Sequence, residues 1–126
     1  MLLLDLALLA GQESALATLG GKNSLLACGE QARATIIAAL SVRSPKTTMI
    51  VATPTGTAAQ LLHDDLVQFL GASNVLIFPA WETLPFERVS PSVETMGRRL
   101  EVLWRIRGDQ PPKVIIGSVR ALLQKL

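Results

Sequence analysis

Four short apolar runs, separated by segments with helical spacing, constrain the fold of this chain most strongly. The runs cover residues 24–28, 47–53, 74–78 and 113–117, and none alternates apolar with polar residues. Continuous runs of this kind are typical of strands buried on both faces, as in a parallel sheet covered by helices. The pattern therefore predicts a three-layer α/β fold, in which a mostly parallel sheet is flanked by helices.

The length and the amino-terminal segment fit one compact domain. The chain has 126 residues, of which 49% are hydrophobic, and this is enough for a core of its own. Its first residues, MLLLDLALLAGQ, lack a basic region before the apolar run and are interrupted by Asp5. We interpret them as a short helix that packs on the domain, and neither as a signal peptide nor as a membrane span.

The segment from Phe78 to Arg107 combines a proline-rich loop with an amphipathic helix. The loop runs from Pro79 to Pro91 and contains Trp81, and its prolines exclude both a helix and a central strand. The helix carries one apolar stripe, formed by Val93, Met96, Leu100, Leu103 and Trp104. Spacing alone leaves two interpretations of the loop: an ordered crossover whose aromatic side chains fill the core, which we favour, or a recognition surface for another domain or for nucleic acid.

The residue types in this segment are more specific than their spacing. FPAWETLPFERVSPS, followed by GRRLEVLWRI, resembles the amino-terminal region of the bacterial transcription-repair coupling factor (Mfd), which is itself similar to the first domain of the repair protein UvrB. The matching residues are Phe78, Pro79, Trp81, Glu82, Thr83, Leu84, Pro85, Glu87, Ser90, Pro91, Arg99 and Leu100. Signature residues that become candidates for contacts between domains are Trp81, Glu82, Pro85, Glu87, Arg88, Pro91 and Arg99.

The resemblance carries expectations for the whole chain. It implies that residues 1–126 are the first part of a UvrB-like amino-terminal domain, followed in a longer protein by an inserted domain that binds UvrA. It also implies a cytoplasmic protein that displaces stalled RNA polymerase, recruits UvrA and moves along DNA with ATP and Mg²⁺ bound in separate motor domains. This chain would then be a non-catalytic structural and interaction module, with no catalytic residue, cofactor or metal site of its own.

The stretch LLACGEQARATIIA stands where P-loop proteins carry their phosphate-binding loop. Such a loop needs glycines whose backbone N–H groups surround phosphate, a lysine, and a hydroxyl for magnesium. Here Glu30 and Ala32 replace glycines, and Gly29 alone provides a loop glycine. Arg33 replaces the lysine and Ala34 replaces the hydroxyl. We therefore predict a degenerate P-loop that does not bind ATP.

Other residue types suited to catalysis or metal binding are sparse. The single adjacent acidic pair, in His63-Asp64-Asp65, lies within a predicted helix, so we interpret it as solvated surface. His63 has no second histidine or cysteine at ligand spacing, which argues against a metal site. Cys28, the only cysteine, is predicted at the end of a buried strand, as a small core residue.

Polar residues near the ends of the predicted strands leave alternatives open. Thr55, Thr57 and Ser118 are either helix N-caps, which we favour, or contacts to a nucleic-acid backbone of the kind that the resemblance implies. For Arg99, close to the apolar stripe, we predict an ion pair or a carbonyl contact that holds the Trp81 loop, through Glu82 or Glu87.

Charge argues against a dedicated nucleic-acid binder. Twelve basic and ten acidic residues give a net charge of +2, and on the helix after Pro91 the arginines alternate with Glu94 and Glu101. The main alternative to a structural module is a divergent P-loop ATPase or DNA translocase fragment with residual nucleotide or DNA binding. A simple DNA-binding module is a weaker alternative.

Overall fold

The computed structural model describes residues 2–11, 23–82, 88 and 90–125, and this part of the chain has an α/β fold. Its helices and strands are, in order, α1 (Leu2–Gly11), α2 (Arg33–Arg43), β1 (Met49–Thr53), α3 (Gly56–Leu70), β2 (Val75–Phe78), α4 (Val93–Arg107), β3 (Val114–Ser118) and α5 (Val119–Leu123). Short 3-10 turns at Glu30–Ala32 and Ala72–Asn74 precede α2 and β2. Within the described residues, no helix combines the length and the apolar character needed to cross a bilayer.

The three strands form one parallel sheet in the order β1-β3-β2. Val114 of the central strand stands opposite Met49 on one side and Val75 on the other. At the carboxyl end, Gly117 stands opposite Phe78 and Ser118 opposite Thr53. The loops that follow β1, β2 and β3 therefore meet at one edge of the sheet.

Helices cover both faces of this sheet, as the continuous apolar runs predict. On one face, apolar side chains of α1, α2 and α3 pack on Val75, Val114 and Ile116. On the other face, α4 and α5 pack on β2 and β3 through a cluster of four buried residues: Phe78, Val102, Ile115 and Ala121. The chain crosses from β1 to β2 through α3 and returns to β3 through α4, so the two crossovers run in opposite directions on opposite faces. They consequently share one hand, as the strong handedness of parallel connections requires.

The first predicted strand, residues 24–28, does not form. Residues 23–29 have no regular secondary structure, Leu25 is fully exposed and Cys28 is exposed, contrary to its predicted place in the core. The sequence SLLAC contains no β-branched residue, whereas the three strands that form are rich in Val and Ile. Among the described residues the sheet therefore has three strands instead of four.

The apolar stripe of α4 lies largely outside the core. An amphipathic helix ordinarily turns such a stripe inward, yet Leu100 is 58% exposed and Trp104 is 74% exposed. The residues of α4 that are buried are Thr95, Arg99 and Val102. The side of α4 that faces the rest of the structure is therefore the one that carries Thr95, Arg99 and Val102, and not the apolar stripe.

Candidate functional site

Arg99 is the centre of a group of polar contacts beyond the carboxyl end of β2. Its side chain is 2% exposed because α4 turns it toward the loop that leaves Phe78. Its Nη1 donates to the carbonyl oxygen of Pro79 over 2.7 Å, and its Nη2 donates to the carbonyl oxygen of Lys125 over 3.3 Å. One guanidinium therefore joins the start of the Trp81 loop to the segment that follows α5.

Two aromatic rings accompany this buried cation. Its Cζ atom lies 4.1 Å from the ring centroid of Phe78 and 4.6 Å from that of Trp81. Burial lowers the pKa of the Arg99 guanidinium, and Nε is buried without a hydrogen-bond partner. The ring faces and the two carbonyl oxygens offset part of this loss of solvation.

Trp81 makes a second set of contacts with the residues after α5. Its backbone N–H donates to Oε1 of Gln124 over 2.7 Å, and its indole Nε1 donates to the carbonyl oxygen of Lys125 over 2.8 Å. The carbonyl oxygen of Trp81 accepts from Nη2 of Arg120 over 3.4 Å. Trp81 is thus fixed by its backbone as well as by its ring.

Glu82 organises the amino terminus of α4. Its carboxylate accepts from the backbone N–H of Ser92 over 3.1 Å, from Oγ of Ser92 over 2.8 Å, and from Oγ1 of Thr95. Oγ of Ser92 in turn accepts from the backbone N–H of Thr95, as an N-cap does. These hydrogen bonds, first those from Thr95 and then those from Ser92, lower the pKa of the Glu82 carboxyl group. A carboxylate at this position also complements the positive end of the helix dipole.

The structure brings together some of the signature residues that the sequence singled out. Trp81, Glu82 and Arg99 lie around one loop, and the carbonyl contact predicted for Arg99 is present at Pro79. The ion pair considered between Arg99 and Glu82 does not form, because Ser92 and Thr95 take up the carboxylate. Arg88 is exposed and Pro91 is half-buried just before α4. Pro85 and Glu87 lie outside the described residues.

Sequence reasoning missed several members of this group. Thr95 continues the buried spacing of Arg99 and Val102, so reading that spacing as a helix face would have placed it. Gln124 and Lys125 carry no local signal, because they meet Trp81 only through the return of the chain along β3.

The stretch from Gly29 to Ala34 forms a 3-10 turn, Glu30–Ala32, and the first two residues of α2. Gly29 is extended, with φ −65° and ψ 153°, and its carbonyl oxygen accepts from the N–H of Ala32 over 3.0 Å. A Cβ added to Gly29 would meet only a side-chain oxygen at 3.6 Å, so the backbone here does not require a glycine. Glu30 and Arg33 are exposed, and Ala34 is buried in the core.

Hydroxyl groups after β1 and at the last residue of β3 cap the helices that follow. Oγ1 of Thr55 accepts from the N–H of Ala58, and Oγ of Ser118 accepts from the N–H of Ala121, so both are N-caps as predicted. Thr57, the third candidate, lies within α3 and is exposed.

Acidic residues do not gather into a ligand set. In the described ranges, no three His, Cys, Asp or Glu side chains lie close enough to hold a metal ion. Nδ1 of His63 lies 3.2 Å from Oδ1 of Asp64, and Nε2 of Gln60 donates to the same oxygen over 2.8 Å. These contacts, His63 first, lower the pKa of Asp64 on the surface of α3.

Comparison with known proteins finds several relatives of this chain, all of them transcription-repair-coupling factors. It is 39% identical over 101 residues, 75% of its length, to the transcription-repair-coupling factors of Mycobacterium bovis (strain ATCC BAA-935 / AF2122/97) and Mycobacterium tuberculosis (strain CDC 1551 / Oshkosh). The chain fits a fragment of a transcription-repair-coupling factor. The transcription-repair-coupling factor of Rickettsia bellii (strain RML369-C) is 26% identical over 85 residues, 68% of the chain. No protein-family model matches the chain.

The match to the transcription-repair-coupling factors concerns a small part of them. The chain spans 8% of the length of each of these relatives. Its sheet and the contacts around Arg99 therefore describe one short region of a protein of this family.

Proposed function

We propose that this chain is a non-catalytic structural and interaction module of a transcription-repair-coupling factor, acting in transcription-coupled nucleotide excision repair. The observation that carries the proposal is that three signature residues are engaged in hydrogen bonds within the chain. The Arg99 guanidinium, the Trp81 indole and the Glu82 carboxylate all bond to groups of the chain itself. Side chains engaged in this way hold a loop in place, and they are poorly suited to act on a substrate.

We further propose that the fold is related to UvrB-like domains and that its P-loop is degenerate. A parallel sheet with helices on both faces is compatible with a UvrB-like, degenerate P-loop domain. Two features of the Gly29–Ala34 stretch favour the loss of nucleotide binding. Ala34 is buried where a magnesium-binding hydroxyl would be needed, and the exposed Glu30 would repel a phosphate.

For the complete protein, the proposal extends to partners and location. By its similarity to the family, it would displace stalled RNA polymerase and recruit UvrA in the cytoplasm. It would move along DNA by using ATP and Mg²⁺ in domains outside this chain. The described region would support those domains, with no cofactor of its own.

Isothermal titration of the chain with ATP and Mg²⁺ tests the proposal. We expect no heat of binding at millimolar nucleotide, because the stretch lacks the glycines and the hydroxyl that a phosphate site needs. Micromolar binding would instead favour the divergent ATPase. In that event Arg33→Ala would show whether this stretch is responsible, since only binding through residues 29–34 should weaken.

A second titration separates the structural module from a DNA-binding module. Fluorescence anisotropy with duplex DNA at low salt should show little binding, since the arginines of α4 are interleaved with acids. Tight binding that weakens steeply as salt is raised would identify phosphate contacts and contradict the proposal.

A further inference from the structure

The outer edge of β1 has no strand beside it in the described part of the chain, where β1 pairs with β3 alone. The backbone N–H of Met49 donates to the carbonyl oxygen of Lys113 over 2.8 Å, so it points toward β3. Successive N–H groups along a strand point to opposite sides. The N–H of Val51 therefore also points toward β3, whereas those of Ile50 and Ala52 point to the outer edge.

This edge lacks the usual protection of an outermost strand. Edge strands commonly carry charged side chains or prolines that discourage further pairing, but residues 47–53, TTMIVAT, contain neither. Ile50 is 64% exposed, although its partner across the ladder, Ile115, is 3% exposed. The other edge strand, β2, has only four residues, and its first and last side chains are buried. The open apolar edge of the sheet is therefore that of β1.

The apolar run at residues 24–28 belongs to the same side of the sheet. It precedes α2, which lies on the same face as α3. Because connections between parallel strands share one hand, a strand at 24–28 would lie on the side of β1 opposite to β3. The run nevertheless has no regular structure beside this free edge, and Leu25 is fully exposed. It does not supply a partner for β1, and it lacks a neighbouring strand of its own.

We infer that the outer edge of β1 binds one further strand, supplied by another part of the same polypeptide. Such a strand would accept hydrogen bonds from the N–H groups of Ile50 and Ala52, and it would also give the 24–28 run a neighbour. Strands inside a parallel sheet are apolar on both faces, so the expected partner is a short run rich in Val and Ile.

The source of this strand follows from what the described chain contains. Its three strands all have their places in the sheet, and the chain spans 8% of the length of its relatives. A second copy is a poorer candidate, because a two-fold axis would pair β1 with β1 and leave the 24–28 run of both copies without a neighbour. The inference rests on the proposed function, in which this chain is a module of a longer protein.

Hydrogen exchange of the complete gene product, resolved to single amides by mass spectrometry, tests the inference. We expect the amides of Ile50 and Ala52 to exchange within about tenfold of the rate of Val51, because all three are then bonded within a sheet. In the 126-residue chain the first two should exchange at least about a hundredfold faster than Val51, since their N–H groups face water. Val51 is the matched control, because β3 is its partner in both proteins.

The outcomes separate the possible occupants of the edge. Fast exchange of Ile50 and Ala52 beside a slow Val51 in the complete product would overturn the inference, and this comparison decides even if the short chain does not fold. Slow exchange of both amides in the short chain would also overturn it. Dependence on concentration would then identify a second copy, and independence would identify residues of the short chain itself. Because the measurement involves neither nucleotide nor DNA, its failure would leave the proposed function intact, whereas micromolar ATP binding would contradict that function alone.

Discussion

Replacing Arg99 with alanine is expected to destabilise the chain far more than replacing its neighbour Arg98. Arg99→Ala removes both carbonyl hydrogen bonds and both ring contacts of the guanidinium, and it leaves the carbonyl oxygen of Pro79 without this donor. The loop and the segment after α5 then lose the side chain that joins them.

The size of the effect follows from these contacts. A hydrogen bond from a charged group contributes about 1.5–3 kcal/mol, and the 2.7 Å bond to Pro79 is of this kind. Cation–π contacts of a desolvated guanidinium add about 2 kcal/mol. We count nothing for the 3.3 Å bond to Lys125, and we deduct part of the sum because burial disfavours the charge of Arg99. A net loss of about 3 kcal/mol remains, within the range for breaking a buried polar network.

Thermal unfolding followed by circular dichroism measures this loss. For a chain of 126 residues, about 3 kcal/mol corresponds to a fall in Tm of about 10 °C. Arg98 is the matched control, since it lies on the same helix and pairs with the exposed Glu94 over 2.7 Å. A surface pair of this kind contributes about 0.3–0.5 kcal/mol, so Arg98→Ala should lower Tm by no more than about 2 °C.

A third variant separates charge from shape. Arg99→Lys keeps a cation near the rings but loses the planar fork that reaches two carbonyl groups, so its Tm should lie between those of wild type and Arg99→Ala. Equal Tm values for Arg98→Ala and Arg99→Ala would refute the reasoning, because they would mean that the buried contacts contribute no more than a surface pair.

Three further variants test separate parts of the fold. In urea titrations, Thr55→Ala should lower the free energy of unfolding by about 1 kcal/mol, because it removes an N-cap, whereas Thr57→Ala should lower it by less than half as much. Gly117→Ala should destabilise the fold by about 1 kcal/mol, because a Cβ there would lie 3.1 Å from Leu122 of α5. Gly97→Ala has open space around it and should stabilise the fold by about 0.5–1 kcal/mol, because alanine favours a helix more than glycine does. Changes of the same sign in the two variants would contradict the packing described. Glu82→Gln should lower Tm at pH 7 and match wild type more closely as pH falls below the ordinary value of 4.5, because a carboxyl group with a lowered pKa stabilises the fold above that value and loses its contribution as it is protonated. A difference in Tm that stays constant down to pH 3 would show that the charge of Glu82 is not involved.

The architecture could be predicted because its signals are local. Apolar runs rich in Val and Ile mark β1, β2 and β3 to within two residues of their observed bounds. Thr55 and Ser118 mark helix starts, and Gly71, with φ 86°, ends α3. Such signals depend on residues within one turn of each other, so the sequence displays them directly.

The errors arise where distant contacts decide. The 24–28 run is as apolar as a strand, but apolarity alone does not supply a neighbouring strand with which to pair. On α4, the spacing of Leu100 and Trp104 predicts a buried stripe, whereas Arg99 and Val102 are the residues that face the sheet. A buried arginine offsets its loss of solvation through two carbonyl groups and two rings, and these partners are invisible in the local sequence.

The candidate site was recognised in part for the same reason. The resemblance selected Trp81, Glu82 and Arg99, but it could not supply their partners. Gln124 and Lys125 are more than forty positions from Trp81 along the chain and meet it only in the folded structure.

The strand order has a consequence for the folding of this protein during its synthesis on the ribosome. In the described structure β1 and β2 are not neighbours, and each is hydrogen-bonded to β3, which is the last strand along the chain. A nascent chain that has released both outer strands still lacks the strand between them, and no sheet can assemble until residues 114–118 emerge. Residues 49–53 and 75–78 therefore stay unpaired until residues 114–118 are made, and we expect the nascent polypeptide to depend on chaperone protection during that interval.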